Sequence, residues 1–575
     1  MKAVLSVILA ALTLLPLLCG CTEKPAAVTT EKTTEKTTEI TTEKEEESTV
    51  EPQTEEIVTA PDEDENVKVW FTNSYTKTDP DKPADTGLVS QTVYMAKRET
   101  ENAQIVITAN EDKSGLSVIC SPLQNKNGDT VQTEILRQYY IKCLKTRYPD
   151  PIAPMNEQTE RFDIEAGKSQ AIFVQIKTTS DTVPGDYSGI ISVRQGGKTV
   201  KQVRLFCHVW DIELPETLTS EAVMGLSSDQ ISRFHGENLY KEYYDYLLEH
   251  HCNAYSLPYD VLDERADEYM SDPRVRSFRV PYSGNDDKMR SYYEKLSSNE
   301  EWMKKAYFYP YDEPGTVQAL NDMAGKCERI HNLCPGVRIV VPFFQNVKYD
   351  DNRDQIAFMS EYVDIWCPKT FCFTKSEDKA KGRRLLYSTS QKKTYPEFGQ
   401  RMKTEAEGGD DVWWYVCWEP GMPYLNMYVD MQGYQNRLLF WQQKQYNVNG
   451  FLYWSCSYWN KVENPWKSMA TVGTDYQTGV KWLSDEVFGD GSLLYPGSEV
   501  GINGACGSCR LEAVRDGLEE FEMLTMLENI AGREAVDKII NKVSKSIVDF
   551  TSDENALAEA RTELGNALEK ALKNK

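Results

Sequence analysis

The chain has 575 residues, too many for a single core at roughly 100–200 residues per domain, so about three to five units are expected. Its 40 % hydrophobic and 11 % aromatic content suffices for packed cores and excludes a wholly disordered chain. A net charge of −25 with no Lys/Arg cluster excludes a nucleic-acid partner, and five histidines weigh against a histidine-rich metal centre.

At the start, Lys2 precedes an apolar run from Ala3 to Leu18. This is the charged and apolar part of an export signal, too short for a comfortable membrane span. Leu18-Cys19-Gly20-Cys21 resembles the lipobox of bacterial lipoproteins. That resemblance implies acylation of Cys21, which becomes the first mature residue and anchors the chain to a membrane or cell surface. An ordinary secretory signal is the alternative, and no later stretch is apolar enough to span a bilayer. Residues 22–65 follow with four near-repeats, Thr29-Thr30-Glu31-Lys32 through Thr41-Thr42-Glu43-Lys44, and hold fifteen acidic residues against four lysines. Without aromatics this segment cannot offset its ordering entropy, so it reads as a disordered tether reaching on the order of 35–40 Å. A partner-binding tail is the other reading.

From 66 to 218 short alternating runs such as Gln104–Thr108, Ala171–Ile176 and Val203–Cys207 are separated by turn signals at Asn127-Gly128-Asp129, Pro184-Gly185-Asp186 and Gly196-Gly197. This pattern spells a β-sandwich, read as a scaffold rather than an independent sugar-binding module. From 219 to 488 the period changes. Candidate strands fall at Ala222–Leu226, Ala254–Leu257, Val275–Val280, Ala306–Tyr311, Val337–Phe343, Val363–Cys367, Val412–Trp418 and Gly450–Trp454. Helical stretches lie between them, among them Glu237–His250, Asp286–Lys305, Val317–Asn332 and Met427–Tyr446. Eight strand–helix alternations predict a (β/α)8, TIM-like barrel; a doubly wound open sheet lacks its Gly-rich first turn. Residues 489–575 form a C-terminal extension, mostly helical, with runs over Arg510–Asn529 and Ala556–Lys573. Of the 14 cysteines the close pair is Cys506-Gly507-Ser508-Cys509, which on its own is weak evidence for zinc. Free thiols or one local bridge are the readings left open.

In a barrel the chemistry sits where strands end. Strand four closes on Tyr309-Pro310-Tyr311-Asp312-Glu313-Pro314, strand six on Trp366-Cys367-Pro368-Lys369, strand seven on Trp418-Glu419-Pro420, and strand eight on Trp454 through Trp459. Carboxylates and indoles thus converge on one rim, as a sugar-cleaving pocket requires. Two adjacent carboxylates repel, so one can hold a proton near neutrality. If Pro310 and Pro314 end the strand, both can reach the mouth; the competing reading makes Asp312 a helix cap and Glu313 a surface ion pair.

Tyr311-Asp312-Glu313-Pro314, Trp418-Glu419-Pro420, Gly450-Phe451-Leu452-Tyr453-Trp454, Gly489-Asp490-Gly491 with Tyr495-Pro496-Gly497, and Arg510 through Gly517 occur in one order along the chain. In that order they resemble glycoside hydrolase family 123, and the C-terminal part resembles the associated domain of unknown function 4091. The resemblance covers roughly 66–530. It implies a β-N-acetylgalactosaminidase-like retaining glycosidase in which the sugar's own acetamide attacks, without metal or nucleotide cofactor. It places the catalytic pair at Asp312, orienting the acetamide, and Glu313, acting as acid and then base. Tyr309, Tyr311, Trp366, Trp418, Trp454 and Trp459 are expected to stack on the sugar, and Glu419 to contact its hydroxyls. Two rivals stand beside this: a conventional two-carboxylate glycosidase using Glu313 and Glu419, and a non-catalytic glycan-binding lipoprotein. Arg510, Arg515 and Asp516, on a helix with apolar Leu511, Val514, Leu518 and Phe521, are read as structural.

Overall fold

The computed structural model describes residues 63–143, 145–375, 378, 397–460, 462–469, 471–472 and 487–575. The export signal, Cys21 and the acidic tether before Glu63 lie outside the described residues. Among the described residues no helix is long and apolar enough to cross a membrane.

The N-terminal part is rich in sheet. One sheet orders Val67–Thr72, Thr100–Ala109, Lys168–Lys177, Thr133–Cys143 and Thr146–Pro154, all antiparallel. The second is built on Ser90–Lys97, Lys198–Glu213, Gly185–Gln195, Lys113–Cys120 and Phe162–Ile164. Alternate residues of both point into one shared core, with Ile105 and Ile172 from the first meeting Leu116, Val193 and Leu205 from the second.

Eight parallel strands then form a nearly closed barrel. They are β1 (Glu221–Met224), β2 (Asn253–Ala254), β3 (Phe278–Val280), β4 (Ala306–Phe308), β5 (Arg338–Phe343), β6 (Ile365–Pro368), β7 (Asp411–Val416) and β8 (Gly450–Tyr453). The ladder runs 2-1-8-7-6-5-4-3, and the seam between β2 and β3 is crossed by the Arg279 N–H donating to Tyr255 O at 2.7 Å. Each predicted strand is present and one to three residues shorter overall, with four of them reaching one residue past the predicted bounds at Glu221, Asn253, Pro368 and Asp411. The predicted helix over Asp286–Lys305 is two helices, Asp286–Leu296 and Glu300–Lys305. The break falls at Ser297-Ser298-Asn299, because the Asn299 side chain caps the second helix by accepting from the Glu301 N–H.

The strand period sorts the barrel's side chains into two layers. Val223, Tyr307, Val340, Ile365, Cys367, Trp413, Tyr415 and Leu452 fill the interior. Phe308, Val341, Trp366, Val412, Trp414 and Phe451 face the helices. Four helices matter below: α1 (Val317–Leu333), α2 (Gly433–Gln445), α3 (Cys509–Ala531) and α4 (Glu554–Lys573). α3 buries its charged face as well as its apolar one. Arg437 of α2 reaches Asp516 at 2.9 Å and Glu520 at 2.7 Å on α3, and Glu101 of the N-terminal sheet at 2.6 Å. Arg510 clasps Asp150 with two bonds of 2.7 and 2.8 Å. The charges of Arg510, Arg515 and Asp516 therefore belong to the junction between sheet and barrel. All twelve cysteines among the described residues, Cys506 and Cys509 included, are free thiols.

Candidate active site

β4 ends at Phe308, and the following six residues carry the chain across the barrel mouth. Pro310 and Pro314 cannot donate ladder hydrogen bonds, which stops the strand here. Glu313 then adopts φ +47°, a left-handed conformation that a side chain bearing a Cβ occupies at a cost. Its N–H donates to Pro342 O at 3.1 Å, pinning the turn to the end of β5. The turn removes the two-residue alternation that would have set Asp312 and Glu313 on opposite faces.

The two carboxylates find different partners. Asp312 Oδ1 accepts from the Tyr309 hydroxyl at 2.8 Å. Desolvation, with the neighbouring Glu313 charge adding to it, raises the Asp312 pKa, while the Tyr309 bond and Lys369 oppose the rise. Glu313 Oε1 accepts a short bond from the Tyr415 hydroxyl of β7 and lies 3.2 Å from Lys369 Nζ at the end of β6. Lys369 Nζ also lies 3.2 Å from Glu419 Oε2. Burial by itself would discharge that ammonium, but the carboxylates of Glu313 and Glu419 beside it hold its pKa above the ordinary lysine value.

Aromatic residues rim this cluster. Tyr255, Tyr309, Trp418 and Trp454 are half-buried and sit on top of the interior layer. Trp454 Nε1 donates to Asp490 Oδ2 at 3.0 Å and the Tyr453 hydroxyl to Asp490 Oδ1 at 3.2 Å. Burial pushes the Asp490 carboxyl up to about 7 despite those two donors. Three of the expected stacking residues lie elsewhere. Trp366 is fully buried in the helix-facing layer, its indole N–H given to Asp410 at 2.9 Å, because even strand parity turns it away from the mouth. Trp459 is 1 % exposed, packed edge-on against Phe234 and donating to Leu494 O at 3.0 Å. Tyr311 packs against the outer layer under Lys326 of α1, whose Nζ is 4.9 Å above its ring. Glu419, expected at the sugar's hydroxyls, is 3 % exposed behind Lys369.

Sequence reasoning passed over Lys369, Tyr415, Tyr255 and Asp490 as site residues. A lysine directly after an apolar strand was the available signal for the first, and inward parity on β7 for the second. Asp490 stood inside a quoted motif but has no strand to assign it a direction.

The family model for the glycoside hydrolase 123 catalytic domain matches residues 251–527, and that for the glycoside hydrolase 123 N-terminal domain matches 71–195. The fold is similar to a solved structure of a family 123 glycoside hydrolase from Clostridium perfringens, described for glycolipid glycan hydrolysis. The two are 14 % identical with a TM-score of 0.62, over 88 % of this chain and 99 % of that one. A family 39 glycoside hydrolase from Bacteroides cellulosilyticus aligns at 9 % identity and a TM-score of 0.28, over 75 % of this chain and 82 % of its own. Comparison with curated proteins finds no match.

Proposed function

Since this chain belongs to glycoside hydrolase family 123 and is a glycosidase, we propose that it releases β-linked N-acetylgalactosamine from glycans by a substrate-assisted retaining route. In this reading the 2-acetamido oxygen of the sugar attacks the anomeric carbon and closes an oxazolinium-like ring. Asp312 holds the acetamide N–H and stabilises the positive charge that develops there. Glu313 gives its proton to the leaving oxygen and then takes one from the incoming water.

The observation that carries the proposal is the turn at Glu313, which brings two consecutive carboxylates to one mouth with different partners. One pair serving one side of one sugar suits an internal nucleophile. A protein nucleophile across the ring calls for a second carboxylate ~5–5.5 Å from the acid and open to the anomeric carbon. Glu419, the candidate for that role, is buried and ion-paired with Lys369, which counts against it. The Clostridium perfringens relative acts on glycolipid glycans, and we extend that substrate class to this chain as part of the proposal. An acylated Cys21 and an extended acidic tether would hold such an enzyme beside membrane-borne glycoconjugates.

Aryl β-N-acetylgalactosaminide and aryl β-galactoside, compared side by side, test the reading. Strong preference for the acetamido sugar and inhibition by a thiazoline mimic of the oxazoline are expected; equal turnover of the plain galactoside defeats it. Glu313→Gln is expected to abolish turnover of substrates with poor leaving groups. Asp312→Asn should lose roughly 10²–10⁴-fold in kcat, and Glu419→Gln less. The opposite ranking of Asp312 and Glu419 would favour the two-carboxylate route.

A further inference from the structure

Lys369 is 2 % exposed, and its position is over-determined. Its N–H donates to Phe343 O at 3.0 Å, and the residue bridges in parallel to Tyr415. The ammonium stands 4.4 Å over the Phe344 ring and 5.4 Å from that of Tyr415, so its stem is walled by aromatic carbon. A charge this buried persists only when paired. Glu419 alone would meet that need, yet Lys369 Nζ is shared equally, 3.2 Å from Glu419 Oε2 and 3.2 Å from Glu313 Oε1. The second contact reaches into the mouth, and a purely structural ion pair leaves it unexplained.

We propose that Lys369 is a positioning residue for Glu313, fixing its carboxylate toward the mouth and stabilising the anion that it must become between the two half-reactions. This rests on the acid/base assignment of Glu313 made above. In the first half-reaction the Glu313 O–H bond breaks and the proton goes to the glycosidic oxygen, leaving the electron pair on the carboxylate. Meanwhile the acetamide oxygen bonds to the anomeric carbon as the glycosidic bond breaks. In the second, water loses a proton to Glu313 while its oxygen displaces the acetamide oxygen. Glu313 therefore alternates between neutral and anionic forms. A cation at contact distance favours the anion, assisting the second half and slowing the first.

The surroundings make that balance adjustable. Facing Glu313 are Asp312 from its own turn, Tyr415 and Cys417 from β7 and its end, and Cys372 beyond β6, while Cys367 of β6 lies within reach of Asp312. Glu419 and Asp490 lie within electrostatic reach of Lys369. Asp312, Glu419 and Asp490, when ionised, oppose a charge on Glu313, whereas Lys369 and the Tyr415 hydroxyl favour it. Without Lys369 the proton is expected to stay on Glu313 to higher pH.

The test uses the whole chain carrying Lys369→Met, with Lys369→Gln as a second neutral variant should the first fail to fold and Lys369→Arg as the conservative rescue. In either neutral variant the alkaline limb of kcat/KM on a poor-leaving-group aryl glycoside should move up by about one to two pH units. With a dinitrophenyl glycoside, whose first step needs no acid, kcat should fall at least tenfold, because the water-activating base has lost the cation that favours its anionic form. Arg should restore the limb. Carboxyl ¹³C NMR of the resting protein should show Glu313 titrating at higher pH in the neutral variants. An unmoved limb together with an unmoved Glu313 titration overturns the role of Lys369. If instead Glu313→Gln retains activity on poor leaving groups, the acid/base assignment is what fails, and the NMR titration still reports on Lys369 independently.

Discussion

Trp366 and Trp418 are both rim residues in the chain, but one is an outward wedge and the other a half-exposed face over Lys369. Truncating each should separate these roles. Trp366→Ala removes a fully buried indole and its bond to Asp410, with an expected cost of about 3–5 kcal/mol and a lower Tm. Trp418→Ala should leave Tm nearly unchanged and, on the proposed reading of the mouth as a sugar site, raise KM through loss of a stacking face. Thermal melts beside steady-state kinetics check the pair; a raised KM in Trp366→Ala with unchanged Tm would reverse the assignment. Asp490 offers a related case. Asp490→Leu strands the Trp454 indole N–H and the Tyr453 hydroxyl, each worth about 1–3 kcal/mol when left unpaired. Lower Tm and weaker substrate affinity together are the expected result.

Among the elements, α3 shows how sequence and packing can pull against each other. Gly517 sits inside this helix, where alanine would ordinarily add up to about 1 kcal/mol through propensity. A Cβ at Gly517, however, would lie 2.4 Å from Phe440 Cδ2 and 2.9 Å from the backbone oxygen of Arg437 on α2. The carbonyl cannot rotate away without breaking α2, so overpacking of about 1–3 kcal/mol should win. Gly517→Ala is thus expected to lower Tm; a stabilised variant would show that the two helices separate easily. Gly565 plays the same part on α4, admitting the Trp210 ring, whose Nε1 donates to Asn566 at 3.0 Å.

Across the whole molecule, the junction between sheet, α2, α3 and α4 concentrates buried charge. Arg437, Arg515 and Arg561 face Glu99, Glu101, Glu512, Asp516, Glu519 and Glu520, more acids than bases. Glu519 is pushed up to about 8 by burial against the pull of Arg515. Its contribution is fully present below the unfolded carboxylate value of about 4.3 and is lost as pH rises through 8. His251, 3.2 Å from Glu519, is pushed down to about 3 by burial, with Arg515 and His250 adding to the effect. Its contribution is present above about 6.5 and is lost as pH falls through 3. Stability should therefore peak on the mildly acidic side of neutrality. Between pH 6 and 9 the loss attributable to Glu519 is on the order of 2–3 kcal/mol. Melts across that range should show the decline, and Glu519→Gln should flatten it; an unchanged slope in the variant would place the effect elsewhere.

Local pattern was enough for the element inventory. Alternation of period two marked the strands, the switch to strand–helix repeats marked the barrel, and Tyr311-Asp312-Glu313-Pro314 marked the loop that carries the carboxylates, because these signals depend on neighbours in the chain. The two-helix break at Asn299 was local as well, but its capping amide was read through by a longer apolar period. Direction at the mouth was decided only in three dimensions. Parity puts Trp366 outside and Tyr415 inside once the strand is placed in the nearly closed barrel, and no residue near Lys369 in the chain announces Glu313 or Glu419 as its partners. Whether a side chain walls a pocket or fills a core is set by what packs across from it, and those partners lie 50 to more than 300 residues away.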